Sequence, residues 1–72
     1  MNLAKLDAYI ESSGYKLEFI AKKIGLSRQG FHLKRVGQTE FNVSEINILC
    51  QLLGIDSPEE RNDVFFNQSV DN

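Results

Sequence analysis

Residues 20–27 run Ile20-Ala21-Lys22-Lys23-Ile24-Gly25-Leu26-Ser27, and the architecture turns on them. It reads as the end of one helix, a tight turn and the start of the next. Leu17, Ile20, Ala21 and Ile24 recur at three- and four-residue spacing, which places them on one face of a helix over residues 17–24. Gly25 stops that helix, because glycine takes the left-handed conformation of a turn without steric cost. Ser27 is a good N-cap, so a further helix is predicted over residues 28–36, ending at Gly37. Two short helices crossing at roughly 90–120° need a small residue where one passes over the other, and Ala21 supplies it. Leu26 and Phe31 then anchor the second helix from below, leaving Ser27, Arg28, Gln29 and His32 turned outward. Stability alone explains that second helix poorly. Phe31, Leu33 and Val36 form no single stripe, and Gly30 lowers helix stability by about 1 kcal/mol relative to Ala. Contact with a partner explains it better.

Working outward, Leu3, Leu6 and Ile10 mark a first helix over residues 3–13, capped by Asn2 and ended by Gly14. After a loop at residues 38–41, Asn42-Val43-Ser44-Glu45 has the form of a capping box. It opens a helix to about Leu53 whose Val43, Ile46, Leu49, Cys50 and Leu53 line one side as the spine of the core, with Gly54 closing it. Ser57-Pro58-Glu59-Glu60 combines an N-cap, Pro at the first helical position and Glu three residues after the cap, so a fifth helix is expected over residues 58–66. The expectation is one all-α, compact five-helix domain over residues 1–66, followed by a polar, frayed tail at 67–72. Phe19 is assigned to a slightly wider core. Of Phe65 and Phe66, one is as easily core as contact surface.

Composition excludes several classes. With 42% hydrophobic and 25% charged residues and one Pro, disordered and collagen-like chains drop out. No long apolar run marks a membrane span or signal peptide, so the expected location is cytoplasmic. Cys50 cannot form an internal disulfide, being the only cysteine, and its apolar neighbours suggest a small buried side chain. One His and one Cys are too few for a structural zinc site and no phosphate-binding loop is present, so no metal, cofactor, small-molecule ligand or enzymatic activity is expected. The net charge of −2 hides a strong segregation. Residues 15–37 carry six cations against Glu18, a surplus of five, whereas residues 38–72 carry Arg61 against seven acids, a deficit of six. Such asymmetry suits a polyanion bound on one face, although a solvated basic helix surface fits the charge alone as well.

Over residues 3–53 the chain resembles the Cro/CI-type, XRE-like helix-turn-helix repressors, whose lambda-repressor-like domains have five helices. Gly14-Tyr15-Lys16-Leu17, Ser27-Arg28-Gln29-Gly30-Phe31, Lys34, Glu40-Phe41, Ser44-Glu45-Ile46 and Val64-Phe65-Phe66 are similar to small phage-encoded Cro-like regulators. The resemblance implies a transcriptional regulator that binds a double-stranded DNA operator, with the third helix in the major groove. It implies base contacts from Ser27, Arg28, Gln29 and His32, with Leu33 beside them. Arg suits the O6 and N7 edge of guanine and Gln the N6 and N7 edge of adenine. Leu33 either meets a thymine methyl or covers a neighbouring helix. Lys16, Lys34, Arg35, Gln38, Thr39 and the helix start at Asn42 are better placed for phosphates.

Two positions depart from the family pattern. Leu17 stands where many relatives hold a phosphate with Gln, so Lys16 takes over that role. Lys34 stands where many have an apolar anchor, which Val36 and the Lys34 methylene stem are expected to replace. A two-fold homodimer on DNA is expected, with Val64-Phe65-Phe66 as its motivating feature. The alternative is a protein-interaction module on the same fold, antirepressor- or antitoxin-like, using the acidic half.

Overall fold

Four of the helices in this computed structural model, which describes residues 1–66, begin on a capping side chain. Asn2 Oδ1 accepts from the Lys5 N–H at 3.1 Å, Ser27 Oγ from Gly30 at 3.0 Å, Asn42 Oδ1 from Glu45 at 2.8 Å and Ser57 Oγ from Glu60 at 3.0 Å. Each satisfies an amide that the helix leaves without an internal partner, a contribution of about 1 kcal/mol. The helices are α1 Leu3–Ser13, α2 Leu17–Lys23, α3 Arg28–Arg35, α4 Val43–Leu53 and α5 Pro58–Arg61. The described residues contain no strand. Among them, no helix is long and apolar enough to cross a membrane. The tail expected at residues 67–72 lies outside the described residues.

The decisive stretch behaves as its residues require. Gly25 takes φ 79°, and the following Leu26 N–H reaches back to the Ala21 carbonyl at 2.9 Å, closing α2 in a left-handed turn. Ala21 is buried at 2% exposure and α2 packs on α3. Phe31, also 2% exposed, drives from α3 into a core built with Leu6 and Ile10 of α1, Ile20 of α2, and Ile46, Leu49, Cys50 and Leu53 of α4. Leu26 is only partly buried against that core. Burial pushes the Cys50 thiol pKa up, so it remains an inert, protonated filler.

Four expectations need correction. Val43 is 65% exposed, and the buried row of α4 begins at Glu45 instead. Both lie at the margin of the Ile46, Leu49, Cys50 and Leu53 face, and Glu45 is the one drawn in, held by the Lys34 ammonium and the Asn42 amide. Phe19 does not widen the core; it stands 40% exposed. Val36 does not anchor α3, because it lies four residues beyond the exposed His32 on the same face. The fifth helix is α-helical only through Arg61 and continues as a wider π-helical turn, Asn62–Phe66.

That terminal turn settles the aromatic question. Val64 and Phe65 are buried, Phe65 meeting Phe41 edge to face at 6.2 Å, while Phe66 is half exposed. The turn is held against α1 by the Asn2 N–H donating to the Val64 carbonyl at 2.8 Å, and by Lys5, which pairs with Glu60 and Asp63. The Tyr9 hydroxyl donates to Glu60 at 2.7 Å. Tyr9 and Lys5 together hold the Glu60 carboxyl below the usual glutamate range.

Candidate functional site

The site is built on α3, whose two ends differ. At the front, Ser27 caps the helix, and Arg28, Gln29 and His32 are all exposed. Their spacing of one and four residues puts them on one arc, with the buried Phe31 at its inner edge, about 60° around the helix from Arg28. With Arg35 they border a shallow groove of about 430 Å³, floored by Leu17 and the edge of Phe31. The structure thus brings three of the expected base-contacting side chains onto one surface. Arg28 keeps 75% of its side chain exposed and has Glu18 at 3.8 Å, a contact too open to hold it. Leu33 is partly buried and lies off this arc.

Gly30 has a local reason. A Cβ there would stand 3.1 Å from the Ser27 hydroxyl that accepts its N–H. The capping turn is tight enough to favour the residue without a side chain.

At the rear, the expected phosphate contacts are already engaged. The Lys34 ammonium donates to Glu45 Oε1 at 2.7 Å, with 18% and 9% of the two side chains exposed. The same Glu45 oxygen accepts the Asn42 N–H at 2.9 Å, completing the α4 capping box. Burial pushes the Glu45 carboxyl up, but the Lys34 ammonium and the Asn42 amide overcome it, leaving the group below its ordinary pKa. Lys34 therefore ties the rear of α3 to the start of α4. Arg35 donates through Nε to Asp7 of α1 at 3.0 Å, with 26% of its side chain exposed.

The remaining expected residues do not line this groove, and Thr39 borders a separate one with Phe41 and Phe66. Lys16 is exposed at the start of α2. The Gln38 and Thr39 amides both donate to the Leu33 carbonyl, at 2.9 and 3.3 Å, after the left-handed Gly37, and their side chains remain exposed. The backbone N–H and side-chain oxygen of Asn42 are both consumed by the capping box. An anion at that helix start is left the amides of the following residues.

Sequence reasoning missed the acidic partners: Glu45 for Lys34, Asp7 for Arg35 and Glu18 for Arg28. For Glu45 a signal existed, since it falls at the margin of the buried face of α4. For Asp7, 28 residues from Arg35, none did.

No protein-family model matches the chain, and neither the curated proteins nor the solved structures yield a match. The likeness to Cro/CI-type repressors rests on the residues quoted above.

Proposed function

We propose that this chain is a sequence-specific DNA-binding regulator of the Cro/CI type. In this reading α2 and α3 form a helix-turn-helix, and the front of α3 enters the major groove. One observation carries it: Arg28, Gln29 and His32 stand together, exposed, at the capped end of a helix that Phe31 pins to the core. A donor-rich arc on a rigid helix is what direct readout of base edges requires. Lys16, at the start of α2, and the exposed side chains of Gln38 and Thr39, after the end of α3, suit phosphates. One module of this size reads few base pairs, so a specific site takes more than one copy, each on its own half-site.

Selection of bound duplexes from a random pool, followed by isotherms on the selected and a scrambled site at several salt concentrations, tests the reading. Arg28→Ala is expected to lose about 1–3 kcal/mol on the selected site and little on the scrambled one. Lys16→Ala is expected to weaken both by similar factors and to reduce the salt slope by about one unit. Equal losses on both duplexes for Arg28→Ala overturn the orientation of α3. Failure of the pool to yield any enriched site hands the fold to the interaction-module reading.

A further inference from the structure

Two exposed aromatic patches of opposite charge lie on this molecule, and neither carries a residue of the DNA reading. The first is on α2. Tyr15 and Phe19 are 42% and 40% exposed, their rings 4.9 Å apart, and the Lys23 ammonium stands 5.4 Å over the Phe19 ring. At 100° per residue, Phe19 and Lys23 sit 100° and 140° around α2 from Glu18, the residue beside Arg28. The row therefore turns away from the arc on α3. The second patch is at the other end of the chain, where Phe66, half exposed, shares a shallow groove with Glu59, Glu60, Asn62 and Asp63.

We propose that these two patches bind each other between copies of this chain, the Tyr15–Phe19–Lys23 row of one copy seating on the Phe66–Glu59 edge of the next. The chemistry matches from both sides. A ring with an open face packs offset or edge-on against another ring, and an ammonium beside it meets carboxylates. The charge segregation of the chain, basic in the segment that holds one patch and acidic in the segment that holds the other, favours this pairing over like meeting like. In this contact a row meets an edge and never its own kind, so copies join head to tail or, where both contacts form at once, as a reciprocal pair. Few residues take part, well short of a standard stable interface, so it is weak in solution and acts when copies are held close together, as on adjacent sites of one polymer. The inference rests on the surfaces of the chain alone and stands apart from the DNA reading.

Amide NMR spectra of the isolated protein, from about 20 μM to 1 mM, test it without DNA. Shifts growing with concentration are expected at Tyr15, Phe19 and Lys23 and also at Glu59, Asn62 and Phe66, and they shrink in high salt. Phe19→Ser and Phe66→Ser, both surface changes whose folding is checked by circular dichroism, each weaken self-association about tenfold or more. Mixing is decisive. Labelled Phe19→Ser keeps an intact acidic edge, so adding unlabelled Phe66→Ser restores the shifts at Glu59 and Asn62, whereas adding more Phe19→Ser does not. Absence of concentration-dependent shifts, shifts confined to one patch as like-on-like pairing gives, or failure of the mixture to restore them each overturns the proposal.

Discussion

Arg28 and Lys34 lie six residues apart on one helix, carry the same charge and meet different fates. Arg28 is three-quarters exposed beside a loose carboxylate, whereas Lys34 is more than four-fifths buried with its ammonium on Glu45 at 2.7 Å. A cation left in water keeps its charge for a ligand and does little for folding. A cation drawn into the protein against a buried carboxylate spends its charge internally, and losing it strands the partner. The front of α3 is thus free to act, and the rear holds it in place.

The contrast breaks most severely at its hinge, Phe31. Phe31→Ala removes the side chain that both ends share and is expected to cost about 3–5 kcal/mol, a large part of a small domain's stability. Thermal melting by circular dichroism reads it, and a melt near that of the wild type would mean α3 is not anchored through its ring.

Lys34→Met comes next, at about 1–3 kcal/mol, since the buried Glu45 loses its strongest partner. The effect has a definite pH dependence. In the wild type Glu45 has a lowered pKa, so its contribution is present above about 4.3, the ordinary glutamate value, and fades as pH falls through the lower folded value. In the variant, burial acts without the opposing ammonium, so the carboxylate is a burden at neutral pH that protonation relieves. Urea unfolding should show the two proteins furthest apart near pH 7 and converging below pH ~4.3. A gap that widens in acid contradicts the pairing.

Arg28→Ala is expected to change folding by less than about 0.5 kcal/mol, because nothing buried depends on it. Its consequence lies in binding, as set out above. A destabilisation comparable to that of Lys34→Met would erase the difference between the two ends. Gly30→Ala sharpens the front alone. The gain of about 1 kcal/mol in helix propensity meets a strained Ser27 cap of similar worth, so the net stability change is expected within about 0.5 kcal/mol. A full gain of about 1 kcal/mol in a denaturant titration would show that the Ser27 hydroxyl moves aside freely.

Much of this molecule was written locally. Asn2, Ser27, Asn42 and Ser57 fix helix starts through side chains that reach amides three residues on, and Gly14, Gly25 and Gly54 fix helix ends through their backbone freedom. Hydrophobic period placed Leu6, Ile10, Ile20, Ala21, Leu49 and Leu53 inside, because a helix repeats its faces every few residues whatever surrounds it, and spacing from the Gly25 turn placed Phe31. The outward turn of Arg28, Gln29 and His32 followed from the same period.

Which cations remain available depends on long-range packing. Arg35 meets Asp7 from α1, and Lys34 meets a glutamate on α4, across distances in sequence that no local rule spans. That packing also divided the aromatics. Phe19 lies outside because α2 turns Ile20, Ala21 and Ile24 inward, and of the two terminal rings Phe65 packs edge to face on Phe41 while Phe66 is left out. Secondary structure is set by short-range spacing and capping, whereas the partner of a charge or the burial of a terminal ring depends on what the rest of the chain brings alongside it.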